Sequence, residues 1–288
     1  MNVASMALLG SPLTGLLAWF LFCGALGFIT AILYLLARGI SQNTPVPKWR
    51  SQRSPVHLLV VLGSGGHTAE MFSMLRRIKL DPAKYTYRTY VVSSGDNFSA
   101  TKASEFESTL IERGAEPQSY CIVTVPRARQ VHQSYLTAPI STLQSFYSCL
   151  LVLRGLHPDQ HLRSTDLLSS PDPDIILTNG PATAVCVILA ARLLRLYYSC
   201  SEFFFPRRLY LHPRSMAVTD SDGMTPPSGE LRLRTIFVES WARVTTLSLS
   251  GKILLPFADR FLVQWPALGG RKAWWGTKKA EYVGFLVD

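Results

Sequence analysis

The fold is indicated most clearly by the stretch from Val60 to Met71, which reads VVLGSGGHTAEM. A short apolar run ends there in a glycine-rich turn, and a pattern typical of a helix begins directly after it. This arrangement gathers backbone N–H groups and a helix N-terminus around one point, which favours an anionic group such as a phosphate. The stretch therefore predicts the first unit of an α/β domain with an anion-binding loop.

The same alternation of apolar runs and helical patterns continues along the chain. Apolar runs predict strands at 56–62, 85–92, 120–125, 174–178, 233–238 and 261–263, and a short one near Tyr282. Helical spacing predicts helices at 68–78, 99–113, 134–153 and 183–196. The helix at 134–153 has an apolar face that suits either the core or a membrane surface. Strands alternating with helices imply a parallel, doubly wound, Rossmann-like sheet.

The N-terminus predicts a membrane anchor. No charged side chain occurs between Met1 and Ala37, and roughly 20 apolar residues suffice for a helical span. Features of a cleaved signal peptide are not evident. Basic residues such as Arg38 follow the span and none precedes it, so the rest of the chain is expected in the cytosol. We predict a transmembrane anchor at 1–38, a linker at 39–55, and one domain at 56–288 with an inserted loop at about 201–232.

Composition narrows the class of partner. The net charge of +10 favours anionic surfaces, either membrane headgroups or phosphates. Nucleic acid is not an expected partner, because the basic residues are spread out and form no known DNA- or RNA-binding motif. The five cysteines have neither paired spacing nor a CxxC motif, which argues against a disulfide framework or a zinc site. We predict no metal and no cofactor.

The glycine turn is the first candidate site. A dinucleotide fingerprint would need a third glycine where Thr68 stands and an acid at the end of the second strand, which Asp96 supplies poorly. A Walker loop would need lysine where His67 stands. The turn is thus interpreted as a diphosphate or sugar-phosphate cradle, or else as a tight turn without a ligand. The candidate binding residues are Gly63, Ser64, Gly65, Gly66, His67 and Thr68.

His67 has three open interpretations. An imidazole ordinarily titrates near neutrality, so His67 is a candidate catalytic base. It is equally suited to cap the helix or to hydrogen-bond a ligand.

Further candidates follow other predicted strands. Asn179 and Gly180 would lie at the same carboxyl edge of the sheet as the glycine turn, where ligands of such folds collect, although Asn179 also suits a helix cap. Arg127 is a candidate for gripping a pyrophosphate or lipid headgroups, or it lies in a solvated basic turn. Glu239 is a candidate catalytic acid or base, or the partner of Arg243 in a local ion pair.

Several motifs in order carry a resemblance to a known family. They are LGSGGHTAEM at 62–71, PRARQV at 126–131, NGP at 179–181, VES at 238–240, RV at 243–244, LSLSGK at 247–252 and VQWPAL at 263–268. With this set the chain resembles the membrane-anchored subunits of the dolichol-linked UDP-N-acetylglucosamine transferase. The match covers roughly 56–198 and 233–288 but not 201–231, and Ala182 stands where a glycine is expected.

The resemblance implies half of an enzyme. The domain would be the N-terminal, acceptor-binding half of a two-domain GT-B glycosyltransferase, and a soluble catalytic subunit would carry the UDP-GlcNAc-binding half of the heterodimer. The complex would transfer GlcNAc from UDP-GlcNAc to GlcNAc-diphospho-dolichol, the second step of lipid-linked oligosaccharide synthesis for N-glycosylation. The chain alone would be inactive. Its place would be the endoplasmic reticulum membrane, as a single-pass protein with its bulk on the cytosolic face, and also the nuclear envelope.

The resemblance also assigns roles to residues. Gly65, Gly66 and His67 would face the dolichyl-diphosphate acceptor, and Asn179 with Gly180 would form the second wall. The catalytic partner would dock on Val283, Gly284, Phe285 and Leu286.

Two alternatives to the subunit interpretation remain at this point. The first is a self-sufficient membrane glycosyltransferase, and the second is a membrane-tethered nucleotide- or NAD-binding regulator. Thr68, in place of the third fingerprint glycine, argues against NAD.

Overall fold

The computed structural model describes residues 55–129, 138–160, 172–180, 182–204, 233–274 and 278–287, with backbone only at 199–204. The predicted anchor at 1–38, almost all of the linker, and residues 205–232 of the predicted insertion lie outside these ranges. Within the ranges, no helix has both the length and the apolar character needed to cross a bilayer.

The described residues form one α/β layer structure. Its strands are β1 His57–Val61, β2 Tyr87–Ser93, β3 Tyr120–Val125, β4 Ile175–Asn179, β5 Arg234–Val238, β6 Arg260–Val263 and β7 Glu281–Tyr282. Its α-helices are α1 Gly66–Arg77, α2 Asn97–Ile111, α3 Ala138–Leu153, α4 Ala182–Phe204 and α5 Leu249–Leu254. Short 3₁₀ turns occupy Pro158–Gln160 and Pro266–Leu268.

The strands make a single seven-stranded sheet in the order β3-β2-β1-β4-β5-β6-β7. Every neighbouring pair is parallel. Leu59 of β1 pairs with Thr89 on one side and with Ile176 on the other. The strands β2 and β3 are therefore added on one side of β1, and β4 and the later strands on the other side. The boundary between β1 and β4 is the topological switch point. The predicted parallel, Rossmann-like sheet is confirmed.

Helices cover both faces of the sheet, as a doubly wound fold requires. Leu59 on β1 packs in one cluster with α3 and α4, represented by Cys149 and Ala190. Val60, the next residue along, packs in a second cluster with α1 and α2, represented by Met71. Successive β1 side chains thus point into different cores, which explains why this strand is a continuous apolar run.

The helix predicted at 134–153 is present as α3, and it is apolar on both sides. Cys149, one of its inner residues, is fully buried. Its outer face carries Ile140, Leu143 and Tyr147, each more than 60% exposed. The structure therefore confirms the core assignment for one face and leaves the opposite face apolar and open.

A charged cluster braces the amino edge of the sheet. The carboxylate of Asp259, before β6, accepts hydrogen bonds from Arg192 at 2.7 Å and from Arg195 at 2.7 and 2.8 Å. It also accepts from the backbone N–H of Thr235 at 2.9 Å. Lys278 lies buried in the same region and donates to the carbonyl of Ala258 at 2.5 Å. One carboxylate thus ties α4 to two strands, and the cluster keeps more positive than negative charge.

We predict that the contribution of Lys278 to stability rises with pH. Burial, with the positive charge of Arg192 nearby, lowers the pKa of Lys278 to about 8 from its ordinary value of 10.5. Between these values the unfolded chain binds more protons than the folded chain, so raising the pH through this window stabilises the fold. The free energy of unfolding of the wild type, minus that of Lys278→Met, is expected to increase across the window in urea titrations.

Lys279→Met is the matched control, because Lys279 is exposed beside Lys278. Its difference from the wild type should stay flat over the same range. A flat difference for Lys278→Met as well would contradict the prediction.

Candidate functional site

The two predicted turns lie side by side at the carboxyl edge of the sheet. The glycine turn follows β1 and the Asn179-Gly180 turn follows β4, and these strands are hydrogen-bonded neighbours. In folds of this type, ligands bind outside the carboxyl ends of the strands at the point where the strand order reverses. The sheet therefore brings both candidate turns to the switch point.

His67 joins the two turns by packing on Gly180. A Cβ built on Gly180 would lie 2.8 Å from His67 Cγ and 3.0 Å from Cδ2, closer than side chains approach each other. Gly180 also has φ +87°, a conformation that favours glycine. Both requirements exclude a larger residue here. The two turns form one surface, which we call the switch-point wall: Ser64, Gly65, Gly66, His67, Asn179 and Gly180.

The N-terminus of α1 opens onto this wall. Gly65 caps the helix with φ +62°, and no side chain of the described residues caps it by a hydrogen bond. Ser64, Gly65 and Gly66 are exposed. Exposed backbone N–H groups at the positive end of a twelve-residue helix suit an anion.

Thr68 supports the turn from below instead of joining the wall. It is fully buried, its hydroxyl donates to the carbonyl of Gly63, and its oxygen lies 2.6 Å from the hydroxyl oxygen of Ser99. Ser99 in turn donates to Asp96 at 2.6 Å, and Asp96 caps α2. Asp96 is therefore a helix cap, in agreement with the poor fit of the dinucleotide fingerprint.

Glu70 is the centre of the polar network behind the wall. Its Oε2 accepts a hydrogen bond from Asn179 Nδ2 at 2.9 Å and lies 3.4 Å from His67 Nδ1. Its Oε1 accepts from Ser240 Oγ and from the backbone N–H of Trp241, both at 2.9 Å. One carboxylate therefore connects the loops that follow β1, β4 and β5.

The donors around Glu70 keep it ionised. Burial raises the pKa of its carboxyl, but hydrogen bonds from His67, Asn179 and Ser240 outweigh burial and leave the pKa below its ordinary value. These donors also partly offset the negative charge of Glu70, which would otherwise repel an anion at the N-terminus of α1.

Asn179 contributes a buried acceptor to the wall. The side chain is 1% exposed, and its Nδ2 is directed at Glu70 because a carboxylate accepts and cannot donate. This fixes the other end of the amide, and no donor in the described part of the chain reaches Oδ1. A buried acceptor of this kind needs a donor, which an ordered water or a ligand can supply.

Glu239 holds the loop between β5 and α5. It is 2% exposed, and its carboxylate accepts from the backbone N–H of Ser240 at 3.2 Å and from the N–H and hydroxyl of Ser248 at 3.1 Å. Burial raises the pKa of Glu239 above its ordinary value, although these hydrogen bonds and the charge of Arg243 oppose the rise. A Cβ at Gly251 would overlap its Oε2. In this geometry the Glu239 carboxylate fixes the conformation of the loop between β5 and α5.

Three aromatic side chains from consecutive loops form a second feature of the same edge. Trp241 follows β5, Trp265 follows β6 and Phe285 follows β7. The ring centroids of Trp241 and Trp265 are 6.0 Å apart, and those of Trp265 and Phe285 are 5.0 Å apart. Trp265 Nε1 also donates to the carbonyl of Trp241 at 2.7 Å. We call these three residues the aromatic ladder.

The predicted docking segment runs along this ladder. Val283 and Phe285 are 38% and 45% exposed, whereas Leu286 packs against the core under α1 and α2. The backbone N–H of Leu286 donates to Gln264 Oε1 at 2.9 Å. Gly284, between the two exposed residues, has φ +77°.

Arg127 lies at the same edge but beside other strands. Its Nε donates to the carbonyl of Ser94 at 2.8 Å, so it joins the loops after β3 and β2. The structure thus brings together the glycine turn, Asn179 and Gly180. It places Glu239 on the adjacent loop after β5, and Arg127 after β3, two strands away from β1.

Sequence reasoning missed Glu70, Ser240 and Trp241 as parts of the site. A signal existed for Glu70, which stands three positions after His67 and so shares its helix face. For Trp241 the signal was weaker, namely a position three residues after the end of a predicted strand.

Comparison with known proteins identifies relatives of the chain. Residues 58–286 match the family described as "Oligosaccharide biosynthesis protein Alg14 like". A protein of Aspergillus fumigatus named UDP-N-acetylglucosamine transferase subunit alg14 is 57% identical over 76% of this chain and 100% of its own length. Its namesake in Schizosaccharomyces pombe is 35% identical over 80% of this chain and 83% of its own length. That of Rattus norvegicus is 30% identical over 91% and 95%.

We predict that Gly180→Ala destabilises the chain more than Gly114→Ala. The two glycines have φ +87° and +94°, so each substitution costs about 1–2 kcal/mol of backbone strain. Only at position 180 does the new methyl group meet a side chain, since Gly114 faces open space. We expect a further loss of about 1–3 kcal/mol at Gly180 from the displaced His67 ring. Urea unfolding of both variants measures the difference.

Gly114→Ala serves as the control, because it carries the strain without the contact. Equal losses in the two variants would mean that His67 moves aside freely and that the wall is not held by this contact.

Proposed function

The chain belongs to the Alg14 family of oligosaccharide biosynthesis proteins, and from this we propose that it is the acceptor-binding, membrane-anchoring subunit of a UDP-N-acetylglucosamine transferase. Its acceptor would be GlcNAc-diphospho-dolichol on the cytosolic face of the endoplasmic reticulum. The relatives named above carry the name of a transferase subunit. That name supports a division of labour between this chain and a catalytic partner.

The observation that carries the proposal is the switch-point wall. Diphosphate oxygens are acceptors, and the exposed backbone of Ser64, Gly65 and Gly66 at the start of α1 offers donors and a positive helix end. Asn179, whose Oδ1 has no donor among the described residues, adjoins these groups and is the candidate contact for a sugar hydroxyl or the acetamido N–H. The wall would thus receive the diphosphate at the start of α1 and the sugar beside it.

The chemistry requires a proton acceptor near the sugar. In the transfer, an acceptor hydroxyl attacks the anomeric carbon of UDP-GlcNAc, the bond to UDP breaks, and the hydroxyl proton passes to a base. His67 has a side chain that is 33% exposed at the wall, with Nδ1 towards Glu70. Its Nε2 is then the nitrogen for the proton, and this is the role we propose for it.

The proposal includes a catalytic partner, in line with the relatives' name of transferase subunit. A cleft enzyme of the GT-B type binds its nucleotide sugar on a second domain. We propose that the partner docks on the aromatic ladder and the adjoining Val283. Trp241, Val283 and Phe285 are exposed at the same edge as the wall. Apolar and aromatic side chains are typical of the centre of such interfaces.

We predict that a soluble glycosyltransferase-like protein co-purifies with the full chain and that transfer of GlcNAc needs both. His67→Ala should lower kcat by about 10²–10⁴-fold, the range for loss of a general base, while the partner stays bound. Activity is measured with UDP-GlcNAc and a GlcNAc-diphospho-polyprenyl lipid. Arg76→Ala, in the exposed last turn of the same helix, is the control.

Transfer by the purified chain without partner would replace this proposal with a self-sufficient enzyme. Release of the partner by His67→Ala would make the turn structural, and a rise in KM alone would restrict His67 to binding.

We predict that Asn97 carries no glycan in cells. Asn97-Phe98-Ser99 is a glycosylation sequon, and Asn97 is exposed at the start of α2. The proposed topology keeps it in the cytosol, away from the glycosylation machinery. Glycosidase treatment of the cellular protein should therefore leave its electrophoretic mobility unchanged, and a shift that Asn97→Gln abolishes would overturn the topology.

A further inference from the structure

Glu70 occupies a position between two surfaces with different tasks. On its Oε2 side lie Asn179 at 2.9 Å and His67 at 3.4 Å, which belong to the switch-point wall. On its Oε1 side lie the hydroxyl of Ser240 and the backbone N–H of Trp241, both at 2.9 Å. The same side chain is therefore the shared acceptor for the wall and for the loop that bears the first ring of the aromatic ladder.

A carboxylate of this length satisfies both sides as they stand. Two oxygens without hydrogens accept from donors in opposite directions, whereas the amide of glutamine accepts on one side and presents N–H groups on the other. A glutamine at position 70 can keep its oxygen towards Ser240 and Trp241 only by presenting N–H groups to Asn179 and His67. Asn179 Nδ2 would then face a donor, so the Asn179 amide would have to turn over and the arrangement of the wall would change.

Hydrogen bonds and a ring contact connect Glu70 with the aromatic ladder. Trp241 donates its backbone N–H to Glu70, and the carbonyl of the same residue accepts from Trp265 Nε1 at 2.7 Å. Trp265 meets Phe285 edge-on at 5.0 Å. A protein that fixes these rings also fixes the peptide groups of Trp241, and through them the carboxylate of Glu70.

We propose that Glu70 is a positioning residue that transmits docking of the catalytic partner to His67 and Asn179. The inference rests on the proposed function for the identity of the partner and the acceptor. Docking at the ladder would hold the Ser240-Trp241 loop. The donors of this loop would then fix Glu70 through its Oε1 atom. Glu70 would in turn fix Asn179 and His67 of the wall through its Oε2 atom. Partner binding and acceptor binding would become coupled in one complex.

The test compares the full chain with Glu70→Gln, each purified with and without the partner. Hydrogen exchange in the wild type should slow on partner binding by about fivefold or more at 64–67 and at Gly180, in addition to the loop at 240–243. In Glu70→Gln the loop at 240–243 should still be protected, while the wall should exchange at its partner-free rate. Glu105→Gln, which changes an exposed glutamate paired with Lys102, is the control and should behave as the wild type.

Kinetics provide an independent measurement on the complex. With a GlcNAc-diphospho-polyprenyl lipid as the acceptor, Glu70→Gln should raise the acceptor KM by about fivefold or more without changing the KM for UDP-GlcNAc. Ser240→Ala removes one donor from Oε1 and should give a smaller effect in the same direction. It also replaces Glu70→Gln if that variant fails to fold.

Wall protection that persists in Glu70→Gln would overturn the inference, as would release of the partner, which would make Glu70 part of the docking surface. Absence of transfer by the wild-type complex would instead overturn the proposed function. The exchange measurement needs no acceptor, so it still decides the inference in that case.

Discussion

The packing of the His67 ring on the backbone of Gly180 is the contact on which the rest of the site depends. Parallel pairing of β1 with β4 brings two loops to one edge, but pairing alone leaves each loop as a separate turn. The contact requires that position 180 has no Cβ and a positive φ. It closes the gap, so that Asn179 reaches Glu70 and one carboxylate serves three loops.

The sheet was predictable because its first strand is a continuous apolar run and apolar residues also dominate the later strands. Burial of both faces leaves little choice of side chain in β1, whereas β2 includes the buried polar residues Arg88 and Thr89. Helix α5 was missed. It spans six residues, too few for a periodic pattern, and its N-cap Ser248 is held by Glu239, nine positions earlier. A hydrophobic pattern does not report a contact of this kind.

The site was predictable only in part, for a related reason. Glycines and polar residues directly after strands pointed to both turns of the switch-point wall. The participation of Ser240 and Trp241 depends on β5 lying next to β4, which is a property of strand order. Glu70 belongs to the motif at 62–71, but its role depends on the three loops whose donors reach it. A single sequence contains the donors and the acceptor, but it does not show that the fold brings them into contact.

The strand order also determines when the wall exists during synthesis. The strands β1 to β3 are consecutive in the chain and form one half of the sheet, whereas β4 pairs with β1 from far away, and Asn179 lies 109 positions beyond Glu70. At translation rates of about 5–20 residues per second, the glycine turn precedes its counterpart by about 5–20 s. Throughout that interval β1 presents an unpaired edge of backbone N–H and C=O groups. The strand order thus makes β1 an edge strand in the nascent chain, although it lies in the interior of the finished sheet.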